Sequence, residues 1–318
     1  FDVKSTIQKH LRYIRGVDLE NMKKLISIVI PAYNEELVIK KLAIQLRAIM
    51  QKLRTFQFEV IIVDNGSADN TIGELVKVRA KDSRFKIIQL TKNEGCDCGI
   101  IAGLTYAGGD AAVVMMADLQ ESPEIILQFI KKWEEGYDIV YGIVKRRTGS
   151  TITRRLATLL FYRLINLLAG GMVPRDVSDF RLMDRRAYRA IVAMPEHNKF
   201  FRGLSTWIAF RRIGIPFERS ARAAGVSKAD FRTVWTVAIN GITSFSYIPL
   251  RLPWIAAGVS FLSAGIIGIV YSSSILIFLL ILFSVMCVLQ GMQNEYLIRI
   301  LEEVRERPNF VIRKTFGL

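Results

Sequence analysis

The feature that most constrains the fold is a long stretch without ionisable side chains near the carboxyl terminus. Residues 252–294 contain no Asp, Glu, Lys, Arg or His. At about 1.5 Å per helical residue this stretch would extend roughly 64 Å, enough to cross an apolar layer of about 30 Å twice. The sequence therefore predicts two transmembrane helices within residues 252–298, with a tight turn near Tyr271. A buried helical pair in a soluble core is the alternative, although such helices usually keep a polar face.

The charges around this stretch predict its orientation. Arg251 precedes it and several basic residues follow it: Arg299, Arg305, Arg307, Arg313 and Lys314. Because basic residues favour the cytoplasmic side, we expect an integral membrane protein whose other residues face the cytoplasm. The formal net charge of +15 suits either nucleic acid or an anionic membrane surface. The hairpin favours the membrane, and no nucleic-acid partner is expected.

Cysteine and histidine contents exclude several classes of protein. Cys96, Cys98 and Cys287 are too few for a disulfide framework and fit a reducing compartment. The first two flank Asp97, which is a weak metal signal, and ordinary thiols are the simpler interpretation. With two histidines in the chain, a histidine-rich metal site is excluded and a Ser-His-Asp triad is disfavoured. The first residues lack the apolar region of a signal peptide.

Residues 25–135 alternate short apolar runs with amphipathic stretches. The runs predict strands at residues 25–31, 58–63, 85–90 and 111–116, and the stretches predict helices at residues 36–53, 69–81, 98–107 and 123–135. Repeated βαβ units of this kind indicate a mostly parallel sheet covered by helices on both faces. Ligands of such sheets bind beyond the carboxyl ends of the strands. No Gly-x-Gly-x-x-Gly follows the first strand, which disfavours a dinucleotide-binding oxidoreductase.

The other segments complete the predicted organisation. Residues 154–169 and 232–251 carry an apolar stripe beside basic or aromatic side chains, which is typical of interfacial helices, although either could pack on the sheet instead. The predicted order is an amino-terminal basic helix at residues 1–24, an α/β domain at 25–231, a juxtamembrane amphipathic helix at 232–251, the two transmembrane helices at 252–298 and a cytoplasmic tail at 299–318.

Polar side chains follow three of the predicted strands. In the Pro-Ala-Tyr-Asn-Glu sequence at residues 31–35, Tyr33 can stack on a base and Glu35 can accept hydrogen bonds. In Val-Asp-Asn-Gly-Ser at residues 63–67, Asp64 can accept the imide N–H of uracil or ribose hydroxyls. In Ala-Asp-Leu-Gln at residues 117–120, Asp118 offers the carboxylate that a hard divalent cation needs beside a diphosphate. Each motif alone is also typical of an ordinary strand end or helix cap.

Taken in order, these motifs resemble those of the polyprenyl-phosphate glycosyltransferases, family-two enzymes of the GT-A fold that include bactoprenol glucosyltransferase. Asp-Phe-Arg-Leu at residues 179–182, Arg-Ala-Ala-Gly-Val-Ser-Lys at residues 222–228 and the predicted hairpin add to the resemblance, which spans roughly residues 25–313. It implies an α/β fold: a GT-A (Rossmann-like), mostly parallel sheet domain with interfacial helices and a two-helix transmembrane hairpin. It also implies inverting transfer of a hexose from a nucleotide sugar to a polyprenyl phosphate.

The resemblance further implies which residues act. Those that hold the donor would be Pro31, Tyr33, Glu35, Val63, Asp64, Asn65, Ala117, Asp118 and Gln120. Asp118 would also bind a divalent metal, either Mg²⁺ or Mn²⁺. Asp179 would lie nearest the acceptor oxygen as a base or a positioning group, with a structural ion pair to Arg181 as the alternative. The donor diphosphate and the lipid phosphate would be bound by Arg146, Arg147, Arg154, Arg155, Arg181, Arg222 and Lys228.

Three positions depart from the family pattern and leave alternatives open. Asn65 stands where Asp is common, although its carbonyl can still accept a hydrogen bond. Met116 also stands where Asp is common, so metal affinity is expected to be lower, and Ala229 stands where an aromatic residue is usual. A membrane-tethered nucleotide-sugar-binding protein with weak catalysis is therefore an alternative. A processive polysaccharide synthase is disfavoured because no Gln-x-x-Arg-Trp motif is present. UDP-glucose is the first choice of donor, followed by GDP-mannose and UDP-N-acetylglucosamine, and assembly into a homo-oligomer stays open.

Overall fold

The protein is described by a computed structural model over residues 23–145, 177–197, 199–220 and 275–318, with isolated positions between 253 and 262. The predicted interfacial helices at residues 154–169 and 232–251 lie outside the described residues. So does all but the end of the predicted amino-terminal helix at residues 1–24.

Within the described residues, eight strands form a sheet at the centre of the protein, in the order β7-β5-β6-β4-β1-β2-β3-β8. β6 and β8 run antiparallel to their neighbours, whereas the other pairings are parallel. The strands are β1 (Leu25–Ala32), β2 (Gln57–Asp64), β3 (Phe85–Leu90), β4 (Ala111–Val114), β5 (Ile139–Val144), β6 (Val177–Asp184), β7 (Arg212–Phe217) and β8 (Ile312–Phe316). The predicted α/β fold with a mostly parallel sheet is confirmed.

Helices cover both faces of this sheet, as predicted. They are α1 (Glu36–Lys52), α2 (Thr71–Lys81), α3 (Cys96–Tyr106), α4 (Ile125–Glu134), α5 (Arg185–Ala193) and α6 (Phe201–Trp207). A further helix, α7 (Ile275–Val304), follows later in the chain. α1, α2 and α4 pack on one face through buried residues such as Leu42, Leu75 and Phe129. α3, α5 and α6 pack on the other face through residues such as Ile100 and Tyr188. The apolar strands are buried because both faces are covered.

The carboxyl-terminal segment differs from the predicted layout. α7 continues to Val304, beyond the predicted boundary at residue 298, and β8 pairs with β3. Residues 299–318 are therefore partly helix and partly sheet, where a tail was predicted. The physical reason is that the edge of β3 carries unpaired backbone groups that another strand can satisfy, while Ile312 and Phe316 pack against the two halves of the core.

The two predicted transmembrane helices fall on residues that the structure describes unevenly. Residues 252–274 are described only at isolated positions, and residues 275–298 lie within α7. Among the described residues, no helix combines the length and the apolar character needed to cross a membrane.

Candidate functional site

The carboxyl ends of β1, β2 and β4 meet the amino-terminal half of β6 at one edge of the sheet. Ala32 pairs with Asp64 at the ends of β1 and β2, and Val114 pairs with Arg181 where β4 meets the antiparallel β6. Because β6 enters the sheet from this edge, Asp179 lies near the end of β4. The predicted donor, metal and acceptor motifs therefore line the same edge.

Asp64 has a buried carboxylate with one oxygen that lacks a hydrogen-bond partner. It is fully buried, and its Oδ1 atom accepts a hydrogen bond from the Ser67 N–H at 3.1 Å. Its Oδ2 atom is the one buried side-chain oxygen or nitrogen in the described part of the chain without a hydrogen-bond partner. A buried polar atom without a partner costs about 1–3 kcal/mol. Such an oxygen is suited to accept a hydrogen bond from a ligand.

Asn65 is used to hold a neighbouring loop. Its Nδ2 atom donates to the Gly95 carbonyl at 2.8 Å and to Asn93 Oδ1 at 3.0 Å, while its Oδ1 atom accepts from the Glu94 N–H at 3.1 Å. Gly66 follows with φ +67°, and a Cβ atom there would lie 2.5 Å from the Lys92 backbone. This close approach requires glycine. Asn65 therefore organises the edge, although donor contact was predicted for it.

The loops that follow β1 and β2 are tied together across the edge. The Asn34 N–H donates to Ser67 Oγ at 2.9 Å, and Asn34 Oδ1 accepts from the Ala68 N–H at 2.8 Å. The Glu35 N–H donates to Thr71 Oγ1 at 2.8 Å. Asn34 adopts a φ of 53°, a left-handed conformation that Asn tolerates better than most residues. These bonds fix the backbone that carries the predicted donor residues.

The other residues at the ends of these two strands that were predicted to bind the sugar donor differ in exposure. Pro31 and Val63 are buried in β1 and β2, whereas Tyr33 and Glu35 are half-buried just beyond β1. Tyr33 and Glu35 can contact a bound nucleoside, and Pro31 and Val63 can support the surface beneath it.

Asp118 lies in a tight loop after β4. Leu119 has a φ of 56°, and the Gln120 N–H donates to Asp118 Oδ1 at 3.1 Å. Asp118 and Gln120 are half-buried, while Ala117 is 3% exposed. No group of three or more His, Cys, Asp or Glu side chains that could hold a metal occurs among the described residues. The Asp118 carboxylate fits a cation that takes one carboxylate ligand from the protein and its other ligands from phosphate oxygens and water.

Glu121 is a fully buried carboxyl beside this loop. It accepts hydrogen bonds from Ser178 Oγ and from the Met116 N–H, the latter at 3.1 Å. The Arg219 guanidinium lies 3.8 Å from it. Burial raises the pKa of Glu121 to about 7, against the opposing effect of these three partners. The group thus ties β4 to β6 and carries a proton for much of the time near neutral pH.

Asp179 is held by arginine side chains. Arg202 donates to it through two nitrogens, at 3.1 and 2.6 Å, and Arg181 Nη2 lies 3.7 Å from its carboxylate. Burial would raise the pKa of Asp179, but Arg202, Arg181 and Arg219 outweigh burial and hold the pKa below its usual range. An ionised carboxylate in a bidentate ion pair is a weak proton acceptor, so this geometry favours a positioning group over a base.

Arg181 lies beneath the surface of this edge. It is 2% exposed, and its guanidinium donates to the Ser178 carbonyl at 2.8 Å and to Ser205 Oγ. Burial lowers the pKa of Arg181 to about 10, although Asp179 counteracts this. These internal bonds argue against the direct phosphate contact predicted for Arg181. The partly exposed guanidinium groups near Asp179 are those of Arg202 and Arg219, at 30% and 35% side-chain exposure.

Asp97, in the first turn of α3, faces the same group of side chains. Burial and the nearby charge of Asp179 raise the pKa of Asp97 to about 7, while Arg202, Arg181 and the Phe201 N–H oppose the shift. The residue keeps some accessible surface, although protein atoms surround its carboxyl closely. We refer to Asp97, Asp179, Arg181 and Arg202 as the arginine–carboxylate cluster.

The thiols on either side of Asp97 have separate partners. Cys96 Sγ lies 3.7 Å from Met116 Sδ, and Cys98 Sγ donates to the Asn309 carbonyl at 3.0 Å. Cys96 is an exposed residue, but protein atoms surround its thiol, and this desolvation, followed by the charge of Asp179, raises the pKa of Cys96 above its ordinary value. Burial and Glu94 raise the pKa of Cys98 to about 12. Both therefore exist as thiols, which fits the simpler interpretation of this motif.

Comparison with known proteins gives the family. Residues 27–192, more than half of the chain, match the model of glycosyl transferase family 2. The chain belongs to glycosyl transferase family 2. Its predicted identification as a glycosyltransferase is therefore confirmed.

Relatives with curated descriptions align over nearly the whole chain. The uncharacterized glycosyltransferase YkcC of Bacillus subtilis is 35% identical over 305 residues, covering 92% of this chain and 94% of the relative. The SfII prophage-derived bactoprenol glucosyl transferase of Shigella flexneri is 33% identical, with coverage of 91% and 98%. The structure of glucosyl-3-phosphoglycerate synthase from Mycobacterium tuberculosis, in complex with Mn²⁺, UDP-glucose and phosphoglyceric acid, covers 69% of this chain and 78% of its own at 18% identity. Its TM-score of 0.50 supports the GT-A fold.

The predicted basic residues of this family-2 enzyme lie outside the described residues, with the exception of Arg181. They are Arg146, Arg147, Arg154, Arg155, Arg222 and Lys228. The Ser220 N–H donates to the Gln120 carbonyl at 3.0 Å. Since residues 222–228 begin two positions later in the sequence, the chain is anchored beside Asp118 shortly before the predicted phosphate-binding stretch.

Sequence reasoning missed Asp97, Glu121 and Arg202 as members of this edge. Asp97 was considered only with its neighbouring cysteines, although it follows the carboxyl end of β3 and the strand-end argument applies to it equally. Glu121 is three residues beyond Asp118, within reach of the same loop. Arg202 carries no sequence signal of its own, because its pairing with Asp179 depends on how α6 packs beside β6.

Proposed function

We propose that this protein transfers a hexose from a nucleoside diphosphate sugar to a polyprenyl phosphate. Membership of glycosyl transferase family 2 supports the sugar transfer. Relatives named bactoprenol glucosyl transferases, which are 33% identical over 91% of this chain, support the lipid phosphate acceptor. The observation that carries the proposal is the unpartnered Asp64 Oδ2 atom on the edge that also presents Asp118 and the arginine–carboxylate cluster.

The donor nucleoside would bind at the ends of β1 and β2. Uracil presents a single imide N–H, which the one available oxygen of Asp64 can accept. Guanine presents N–H groups on N1 and on the exocyclic N2, but Asp64 Oδ1 already accepts from the Ser67 N–H and the Asn65 amide is bonded to the 93–95 loop. The arrangement supports UDP-glucose ahead of GDP-mannose, with UDP-N-acetylglucosamine as a second uridine donor.

The donor diphosphate would lie beside Asp118. This carboxylate, fixed by the Gln120 N–H, would hold a Mg²⁺ or Mn²⁺ ion, and such an ion supplies positive charge to a departing diphosphate. Met116 gives no second carboxylate there, so we expect weaker metal binding than a site with two Asp residues would show.

The acceptor phosphate would enter beside Asp179, Arg202 and Arg219. A phosphate monoester is mostly ionised at neutral pH, so attack on the sugar needs little deprotonation and a strong base is optional. Asp179 would then position Arg202, and the partly exposed guanidinium groups would attract the phosphate. A single displacement at the anomeric carbon inverts its configuration.

We place the enzyme at the cytoplasmic face of a membrane. The proposal is supported by the absence of ionisable residues from positions 252–294 and by exposed apolar side chains along α7, including Leu279, Phe283 and Leu297. A membrane concentrates and orients a lipid phosphate, which lowers the entropic cost of bringing the two substrates together.

A second candidate is a nucleotide-sugar-binding protein with weak catalysis. Met116 favours it, because this side chain removes a carboxylate from the metal position and its sulfur contacts Cys96 instead. Such a protein would bind UDP-sugars without turning them over.

A ligand panel tests the proposal. Purified protein is heated with UDP-glucose, UDP-N-acetylglucosamine or GDP-mannose, each with and without Mg²⁺ or Mn²⁺, and binding is read as a rise in Tm. We expect the uridine donors to raise Tm more than GDP-mannose. Incubation of the stabilising donors, radiolabelled in the sugar, with polyprenyl phosphate should move label into the organic phase. Stabilisation without transfer would favour the binding protein, and no stabilisation by any donor would contradict both functions.

A further inference from the structure

Glu121 is a buried carboxyl group that the proposed transfer chemistry leaves without a role. It is 0% exposed and lies three residues beyond Asp118, the candidate metal ligand. Its Oε2 atom accepts a hydrogen bond from the Met116 N–H at 3.1 Å, and its Oε1 atom accepts one from Ser178 Oγ. A single side chain therefore bonds both to the loop that carries Asp118 and to the residue before Asp179.

These bonds lie where the pairing of β4 and β6 stops. Among the described residues, the backbone register of the two strands ends at Val114 and Arg181. The next N–H along the chain, that of Met115, donates to the Val29 carbonyl of β1 at 3.1 Å. Beyond Val114 the chain thus continues along β1, and the Glu121 carboxyl connects it to β6.

Ser178 extends this connection to the acceptor side of the edge. It is 5% exposed, and its Oγ atom accepts a hydrogen bond from the Phe180 N–H at 3.2 Å. Its carbonyl accepts from the Arg181 guanidinium at 2.8 Å. Since Asp179 lies between these bonded residues, the position of its backbone depends on Ser178 and, through Ser178, on Glu121.

Glu121 also lies near a cation of the acceptor side. Arg219 Nη2 is 3.8 Å from Glu121 Oε1, and the Arg219 side chain is 35% exposed. Gln could supply the two hydrogen bonds of Glu121, because its oxygen can accept from the Met116 N–H and its NH₂ group can donate to Ser178 Oγ. The attraction for Arg219 needs the carboxylate.

We propose that Glu121 is a positioning residue for sugar transfer, which fixes Asp118 relative to Asp179 and orients Arg219 toward the acceptor phosphate. This inference rests on the proposed function, since the two substrates are those of the transfer. A misplacement of about 1 Å between reacting groups can slow a reaction about 100-fold. The loss of Glu121 should therefore affect turnover more than the binding of either substrate alone.

Steady-state transfer by the full chain tests the proposal. Labelled UDP-glucose, polyprenyl phosphate and Mn²⁺ are supplied, kcat is expressed per folded enzyme, and the Kd of UDP is measured by calorimetry. Glu121→Ala should lower kcat about 10- to 100-fold and change the Kd of UDP less than about threefold. Glu121→Gln should restore kcat to within about threefold of the wild type, because it keeps both hydrogen bonds. Its KM for polyprenyl phosphate should stay raised, because Arg219 loses its partner.

A buried carboxyl elsewhere in the sheet provides the matched control. Glu59, near the amino-terminal end of β2, is 5% exposed and accepts from Ser27 Oγ at 2.5 Å and from the Gly108 N–H at 2.7 Å. Glu59→Ala should lower Tm and leave kcat per folded enzyme unchanged. This control separates a positioning role from a general loss of stability.

A double-mutant cycle tests whether Glu121 acts through Ser178. If it does, the variant Glu121→Ala/Ser178→Ala should slow turnover no more than Glu121→Ala alone, because both changes remove the same bond. Effects on kcat that multiply in the double variant would contradict the connection. If Glu121→Ala does not fold, unchanged kcat in Ser178→Ala together with unchanged KM for polyprenyl phosphate in Glu121→Gln would overturn the proposal.

Failure of this inference is distinguishable from failure of the proposed function. If the wild type transfers sugar and Glu121→Ala transfers it with the same kcat per folded enzyme, the role of Glu121 fails while the function stands. An equal loss of kcat in Glu59→Ala has the same meaning. If the wild type moves no label into lipid, the proposed function fails and the role of Glu121 fails with it.

Discussion

Neighbouring groups hold the carboxyls of this site in different states. Asp179 is kept ionised by arginines, whereas burial moves the pKa of Asp97 and Glu121 to about 7. Asp64 retains one oxygen without a partner. Groups whose pKa values are pushed apart by their surroundings commonly take separate roles in one active site.

Asp64→Asn should weaken the binding of UDP. Asn would keep its oxygen toward the Ser67 N–H and turn its NH₂ group toward the base. Two hydrogen-bond donors, this NH₂ group and the imide N–H of uracil, would then face each other. Loss of a hydrogen bond to a charged group costs about 1.5–3 kcal/mol, which corresponds to roughly 10- to 150-fold in the dissociation constant. Calorimetric titration with UDP measures it. Glu74→Gln, on the surface of α2, is the control. Equal affinity of Asp64→Asn and the control for UDP would contradict the proposed contact between Asp64 and uracil.

Asp179→Asn should move the titration of Asp97. The charge of Asp179 contributes to the raised pKa of Asp97, so its removal lowers that pKa toward the ordinary value and leaves Arg202 without its bidentate partner. We expect the carboxyl of Asp97 to ionise at lower pH than in the wild type, together with slower sugar transfer. Carbon-13 NMR of the labelled aspartate carboxyl groups between pH 4 and pH 8 measures the shift. An unchanged pH dependence would mean that the two carboxyls do not interact.

Sequence alone predicted Asp64, Asp118 and Asp179, because each stands at the boundary of an apolar run or in a motif shared with a known family. It offered Arg181 as an ion-pair partner of Asp179, which the structure shows at 3.7 Å, but not the other partners that determine their chemistry. Arg202 reaches Asp179 across 23 positions, and Ser178 reaches Glu121 across 57. Contacts of this kind depend on packing between elements that are distant in the chain.

At the scale of elements, the alternation of strands and helices up to residue 135 was predictable from the sequence. Apolar residues there recur with the spacing that is typical of a strand or of a helix. β5, β6, β7 and β8 were not predicted. β6 and β8 run antiparallel, and β8 completes the edge of β3 from more than 200 residues away. A short strand such as β8 has little local signal, and its partner determines whether it forms.

Phe316→Ala should destabilise the edge formed by β3 and β8. Phe316 pairs with Ile87 and its half-buried ring packs against the core. We expect a loss of about 1–2 kcal/mol, because the ring is half-buried and a fully buried Phe costs about 3–5 kcal/mol when truncated. Differential scanning fluorimetry measures the fall in Tm. Thr315→Ala, at an exposed position of the same strand, should have little effect; equal effects would mean that β8 contributes no core packing.

At the scale of the whole molecule, the raised pKa values predict how stability depends on pH. Asp97 and Glu121 titrate at about 7 in the folded protein and near 3.8 and 4.5 when unfolded. Between these values the folded state binds more protons, so their contribution to stability is lost as the pH rises from about 4 to about 7. The pKa of Asp82 is lowered to about 2, mainly by Arg84. Its contribution to stability therefore has the opposite pH dependence and is lost as the pH falls from about 4 to about 2.

The double variant Asp97→Asn/Glu121→Gln should therefore reduce the pH dependence of stability. We expect the wild type to lose several °C of Tm between pH 5 and pH 8 relative to this variant. Thermal unfolding at both pH values, in one detergent and at constant ionic strength, measures the difference. Parallel curves for the two proteins would show that neither carboxyl is protonated in the folded state.

The most direct measurement of the central claim is the dependence of sugar transfer on both substrates. The wild type is incubated with UDP-glucose labelled in the sugar, polyprenyl phosphate and Mn²⁺, and each substrate is omitted in turn. We predict that label enters the organic-extractable lipid only when both substrates are present, and that Asp64→Asn transfers at least tenfold less at low donor concentration. Label that remains in the aqueous phase with every nucleotide sugar, or that reaches lipid without polyprenyl phosphate, would contradict a cleft in which these two substrates meet.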